Sequence, residues 1–194
     1  MSENPESKRR ILSFAADYAS QHGLNDLTFG QLAKATGMSK AGLHGPFGSK
    51  TGLQLETVRF AMGIFTEHVI VPARKRPAGI ERVQAFCEAW MKYVDDRVFP
   101  GGCFFGRVTM EGESLQREVT EEILRAFELF RRFLTGELRK EQSFKGSSAT
   151  VFADQILGLV ISYNWAVSSL YHKEIAASIR SLIREKFAHI PGAT

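Results

Sequence analysis

Apolar residues recur at intervals of three and four along nearly the whole chain, the period of an amphipathic helix, and no segment alternates at period two for long. The pattern predicts a first helix over residues 6–21, with Ile11, Phe14, Ala15 and Tyr18 on one face and Gly23 as its stop. Thr28-Phe29-Gly30-Gln31 has the form of a capping box, in which Thr28 and Gln31 satisfy each other's amides at a helix start. A short helix carrying Leu32, Ala33 and Ala35 follows. Gly37 then permits a left-handed turn before Met38, and Ser39 is placed to cap a third short helix. Gly45-Pro46 is expected to end that helix. Ser49 caps a fourth, with Leu55, Val58, Met62, Phe65 and Val69 at helical spacing, and Val71–Pro77 reads as a basic, proline-bounded connector. Further helices are expected near 79–98, from Cys103, near 114–142, 148–171 and 173–188, with breaks at Pro100-Gly101-Gly102 and Lys145-Gly146-Ser147. The expected fold class is all-α. A three-helix N-terminal domain over 5–65, containing a helix-turn-helix at 28–47, precedes a C-terminal helical bundle over 66–194.

Charge sharpens this picture. The net charge is +4, and residues 1–76 hold ten Lys/Arg against six Asp/Glu, whereas the remainder holds fifteen of each. From Leu27 to Leu55 there are Lys34, Lys40 and Lys50 and no acidic residue. An acid-free stretch bearing lysines suits a polyanion, because each neutralised phosphate releases counterions. The polar start MSENPESKRR and the lack of a long apolar run point to a cytoplasmic protein without a membrane partner. Cys87 and Cys103 cannot build a disulfide framework, and neither sits in a metal-binding motif.

Two short helices joined by a glycine-containing turn, with one helix before and a long one after, have the layout of a helix-turn-helix. Leu32, Ala33, Met38 and Leu43 then pack inward, and Lys40, Ala41 and His44 face a major groove. The competing reading is an ordinary helical hairpin with charged outer faces.

The stretch from Thr28 to Leu53 (TFGQLAKATGMSKAGLHGPFGSKTGL) resembles the signature of the TetR family of regulators: a threonine, a Leu-Ala pair, a Gly-Met-Ser turn, then Phe47 and Ser49-Lys50 before a leucine. The resemblance covers roughly a quarter of the chain in motif and the rest in architecture only. It implies that Thr28 and Ser39 cap helices and contact phosphate, that Lys40 touches backbone or a base edge, and that Lys50 holds a phosphate. His44 stands where the family usually has tyrosine, and Pro46 where it usually has histidine or tyrosine, so two aromatic phosphate clamps are altered. His44 reads either as a phosphate donor or as a solvated turn residue.

Catalytic alternatives find little support. Gly45–Thr51 has glycines and a lysine in the manner of a phosphate-cradling loop, but Ser49 intervenes before Lys50 and no strand precedes it. There is no Glu-x-x-His pair for a di-metal bundle, the five histidines are scattered, and no Gly-x-Ser-x-Gly elbow occurs. The chain is expected to be no enzyme and to carry no cofactor or metal.

In the middle helices, Met62, Phe65, Phe86, Trp90, Tyr93, Cys103, Phe104, Phe105 and Met110 are candidate linings of an effector pocket; plain core packing is the alternative for each. Cys103 lies where a Gly-Cys pair recurs in a subset of TetR-type regulators, one of which senses electrophiles, so it reads either as a sensor thiol or as a packed one. Arg107 and Glu111, four apart, are expected to pair on a helix surface. The helix over 148–171 is apolar nearly all round, which predicts a two-fold interface with the last helix through Ile161, Trp165, Leu170, Ile179, Leu182 and Ile183. The expectation is therefore a homodimeric regulator that binds double-stranded operator DNA. It is read as a repressor released by a small hydrophobic or electrophilic effector. A constitutive DNA-binding protein with a filled core, or a helical-bundle enzyme, is the alternative.

Overall fold

The computed structural model describes residues 5–188 and 190, and among them every regular element is helical. Ten α-helices follow in chain order: α1 (Pro5–His22), α2 (Phe29–Thr36), α3 (Lys40–Phe47), α4 (Lys50–Phe65), α5 (Val71–Arg74), α6 (Ile80–Asp95), α7 (Phe104–Val108), α8 (Arg117–Leu138), α9 (Ser148–Ser168) and α10 (Lys173–Ala188). A π-turn (Thr66–Ile70) joins α4 to α5, and a 3₁₀ segment (Thr109–Ser114) follows α7.

The chain divides into two compact units. The first contains the N-terminal segment through Ile64 together with Phe99–Arg125, and the second contains Phe65–Val98 and the chain from Ala126 onward. This departs from the expected division, which kept everything after residue 65 in one body. The reason lies in the tie between Phe99–Ser114 and α1. The Gly101 amide donates to Ser20 Oγ at 3.0 Å, and a Cβ on Gly101 would stand 2.0 Å from the Ser20 carbonyl oxygen, so only glycine fits this approach. Arg107 and Glu111, expected to pair with each other, reach the end of α1 instead. The Arg107 guanidinium donates to the His22 carbonyl at 3.4 Å, and the Glu111 carboxylate accepts the Leu24 and Asn25 amides at 2.6 Å each.

Within the first unit α1 buries Ile11, Leu12, Ala15, Ala16 and Ala19, and Leu32, Leu43 and Leu53 are fully enclosed. Lys8 and Arg59 both pair with Glu56 at 3.1 Å, and Arg59 also pairs with Glu122 at 3.1 Å, fastening α4 to α1 and α8.

Two expected helix ends move. α3 runs through Pro46 to Phe47 and stops at Gly48, whose φ is +67° and whose amide closes on the His44 carbonyl at 2.8 Å. Pro46 sits in the last turn, where it removes one bond, to the Gly42 carbonyl, and then helix ends anyway. The connector expected at Val71 begins only at Lys75, because Val71–Arg74 stay helical around Pro72. There the Val71 amide bonds back to Thr66 over the wider π-turn, just where proline interrupts the ordinary ladder.

In the second unit the rings of Phe65, Phe86, Trp90 and Phe130 pack mostly edge to face, with centroids 4.4–6.5 Å apart. The start of α6 is capped from the end of α8 and the turn after it: the Gly79 amide meets Glu137 at 2.9 Å and the Ile80 amide meets Glu141 at 2.8 Å. Arg82 pairs with Glu137 at 3.0 Å. No helix among the described residues is long and apolar enough to cross a membrane.

Candidate nucleic-acid interface and effector core

The helix-turn-helix is built by local hydrogen bonds between residues three or four apart. Thr28 Oγ1 accepts the Gln31 amide at 3.3 Å while Gln31 Oε1 accepts the Thr28 amide at 2.7 Å, completing the capping box. The Gly37 amide closes α2 on Ala33 at 3.0 Å, and Ser39 Oγ receives the Gly42 amide at 3.1 Å at the start of α3. Leu32 and Leu43 pin the two helices into the core, with Ala33 and Met38 half-buried beside them.

This inward pinning leaves Thr28, Ser39, Lys40, His44 and Lys50 exposed on the first unit. The backbone of Ala41 belongs to α3, but its side chain lies outside the described residues. The His44 ring stands 5.0 Å from the Phe29 ring, which bridges α2 and α3 and fixes where the imidazole can point. Lys50 Nζ donates to the Asn25 carbonyl; an ammonium has three donors, so two remain for another acceptor.

A second network steadies the turn before α2. The Tyr18 hydroxyl donates to Asp26, and Gln31 Nε2 donates to both the Tyr18 oxygen and Asp26. The Tyr18 hydrogen bond is the main reason that the Asp26 carboxyl lies below its usual range, helped by Gln31, His22 and Lys50 against a smaller opposing effect of burial. Sequence reading singled out Tyr18 only as apolar face, missed Asp26 and gave Glu111 the wrong partner. Nothing local marks a carboxylate whose partners are 86 and 87 residues away.

The nine residues expected to line one pocket are drawn from both units. Met62, Cys103, Phe104, Phe105 and Met110 belong to the first unit; Phe65, Phe86, Trp90 and Tyr93 belong to the second. Met110 is 69% exposed and so lines no enclosed core. Cys103 is fully buried at the head of α7, a helix of five residues. Burial also encloses Cys87 and pushes its thiol up, with Glu88 adding to the effect. In the second unit Trp90 is fully buried, and its indole N–H has no acceptor among the described residues. Such a donor is costly to bury unsatisfied.

The residues expected at a dimer interface also separate. Trp165 (50%), Leu182 (46%) and Leu170 (41%) are exposed and Ile161 is half-buried. Ile179 and Ile183 are buried within the chain, because they share with Ala176 and Phe187 the stripe that α10 lays inward. A residue one position from Ile183 already points away, which is why Leu182 is exposed.

Residues 11–57 match the family described as bacterial regulatory proteins, tetR family, and residues 79–179 match the tetracyclin repressor-like C-terminal domain. No curated protein is similar enough in sequence to count as a relative. Solved structures share the fold. A TetR transcriptional regulator from Legionella pneumophila has a TM-score of 0.80 at 20% identity, covering 95% of this chain and 98% of that one. A transcriptional regulator from Saccharomonospora viridis in complex with choline has a TM-score of 0.78 at 18% identity, covering 96% and 98%. AibR, solved with isovaleryl coenzyme A and operator DNA, has a TM-score of 0.73 at 20% identity, covering 92% and 97%. With both halves of the chain matched, the protein belongs to the TetR family of transcription regulators, with an N-terminal helix-turn-helix domain and a helical, tetracyclin repressor-like C-terminal domain.

Proposed function

We propose that the protein is a homodimeric repressor that binds operator DNA through α3 and is released by a small hydrophobic effector. The observation that carries the DNA reading is the exposed row of Ser39, Lys40, His44 and Lys50, in a stretch of sequence from Leu27 to Leu55 without an acidic residue and pinned by Leu32 and Leu43. Lys40 and His44 sit four apart on α3 and enter the groove together, while Thr28, Ser39 and Lys50 hold phosphates on either side. Dimerisation runs through the exposed Trp165 on α9, Leu170 just after it and Leu182 on α10, with the half-buried Ile161 beside them.

The effector reading rests on Trp90. A ligand carbonyl that reached the ring cluster would satisfy its indole N–H and gain apolar burial at once. AibR was solved with both a ligand and operator DNA, which supports the same pairing here. α4 begins at Lys50 in the first unit and ends at Phe65 in the second, so a ligand packed on Phe65 acts on the helix that carries Lys50. It works only by favouring one state of the dimer over another. Burial of Cys103 favours a non-covalent effector over an electrophile.

The test is fluorescence anisotropy on DNA from upstream of the protein's own gene, across a salt series and with a panel of hydrophobic ligands. Salt-dependent binding that a ligand reverses is expected. Binding indifferent to every ligand that shifts the melting temperature would leave a constitutive DNA-binding protein instead.

A further inference from the structure

Asp26 is the last acidic residue before the stretch from Leu27 to Leu55 that contains none. Leu24 and Leu27 on either side are fully buried, so Asn25 and Asp26 between them are turned out to solvent. This short turn touches both residues that are proposed to hold phosphate at its ends. Lys50 Nζ donates to the Asn25 carbonyl, on the very peptide that joins Asn25 to Asp26. On the other side Gln31 Nε2 donates to Asp26 Oδ2 at 3.2 Å, while Gln31 Oε1 accepts the Thr28 amide and hydroxyl at 2.7 Å each. The Asp26 carboxylate is thus one residue from the Lys50 contact and one side chain from Thr28.

The bonds at this turn need an acceptor but not a charge. The Tyr18 hydroxyl donates to Asp26 Oδ2 at 2.5 Å, and Gln31 Nε2 donates to that same oxygen. One neutral amide oxygen in its place could accept both. Glu111, the other acid at the turn, differs: its two carboxylate oxygens hold the Leu24 and Asn25 amides at 2.6 Å each, so it cannot lose its charge without losing a bond. The Tyr18 bond holds the Asp26 carboxyl below its usual range, and the group is therefore charged at neutral pH. An exposed negative charge beside a phosphate-holding ammonium works against a polyanion.

We propose that Asp26 limits DNA affinity: its carboxylate, joined to Thr28 through Gln31 and set beside the Lys50 contact on Asn25, repels the phosphates that Thr28 and Lys50 hold. The inference rests on the placement of those two residues against phosphate in the proposed function. Phosphate attraction is the same for every sequence, so a fixed negative charge beside it lowers binding to all DNA alike. Less of the total affinity then comes from the backbone, and more of it must come from the groove contacts of α3. Asp26 is in this sense a residue that tunes recognition without reading a base.

Fluorescence anisotropy of the full-length protein tests this across a salt series, on DNA from upstream of its own gene and on an unrelated duplex of equal length. Asp26→Asn should bind both duplexes about fivefold more tightly at low salt, and the gain should shrink as salt screens the charge. Its melting temperature should stay close to the parent's, because the amide oxygen keeps the bonds from Tyr18 and Gln31. Tyr18→Phe removes one of those bonds and keeps the charge, so it should lower the melting temperature without tightening binding. A merely structural Asp26 would give weaker or unchanged binding in both variants. Asp26→Asn that binds no tighter while Lys50→Ala weakens binding would overturn the proposal and leave the interface standing. Lys50→Ala with unchanged affinity and salt slope would remove the interface, and the proposal with it. A gain confined to one duplex, or one that salt did not diminish, would also overturn it.

Discussion

Glu111 and Lys50 hold the two ends of one residue. The Glu111 carboxylate accepts the Asn25 amide at 2.6 Å, and Lys50 Nζ donates to the Asn25 carbonyl. Asn25 lies in the turn between α1 and α2, so a carboxylate in the 3₁₀ segment after α7 helps set the exposed ammonium at the start of α4. The segment that sequence assigned to the effector body therefore belongs mechanically to the DNA-facing unit.

Glu111→Ala should cost about 1–2 kcal/mol, because it strips the Leu24 and Asn25 amides of their acceptor. It should also weaken operator binding, although Glu111 carries the wrong charge to touch phosphate. Thermal melting and anisotropy together check this. A variant with full stability and full affinity would show that the clamp has no influence on the head.

Lys50→Ala should weaken binding to all DNA sequences alike and flatten the salt slope by about one unit. Lys40→Ala, on the recognition helix, should change sequence preference as well as affinity. Titrations at several salt concentrations separate the two; an unchanged slope for Lys50→Ala would remove that lysine from the interface.

Trp165→Glu or Leu182→Glu should release monomers, since each places a charge in the surface that the proposed dimer would desolvate. Ile179→Ala should act differently. Ile179 is buried within its own chain, so the variant should lower stability by roughly 2–4 kcal/mol without that route to dissociation. Sedimentation and melting distinguish these cases, and intact dimers for both charged variants would move the interface elsewhere.

Acid should act partly through Glu137. Burial raises its carboxyl, but Lys140, the Gly79 amide and Arg82 together outweigh burial and hold it below the ordinary 4.5. A depressed folded value means the stabilisation is complete above the ordinary value and is lost as pH falls through the lowered one. Glu137→Gln should therefore be less stable than the parent at neutral pH, and the gap should narrow below roughly pH 4.5. Chemical denaturation at a series of pH values reads this directly; a gap that widened in acid would show that the network does not favour the charged form.

Cys103 and Cys87 should both resist a small electrophile while the protein stays folded, because each is fully buried. Mass spectrometry of the native protein checks it. A rapid adduct at Cys103 that lowered DNA affinity would restore the sensor reading.

The helices and the helix-turn-helix were legible because their determinants are local. The Thr28–Gln31 box, the Ser39–Gly42 cap and the Ser49–Gly52 cap each close within three residues, so residue types at fixed offsets specify them. The inward positions of Leu32 and Leu43 follow from the same short register. Tertiary structure alone decided the partners of Glu111, 86 and 87 residues away, and the capping of Gly79 by Glu137 across 58 residues. It also decided that Ile179 and Ile183 face inward while Leu182 does not, and that Arg97 and Tyr171 meet. Helical periodicity shows that a helix has an apolar face, but not which neighbour takes it or which residues saturate distant amides. Those depend on chain topology, because a carboxylate, a ring or a guanidinium finds its partner only after the packed helices bring them within reach.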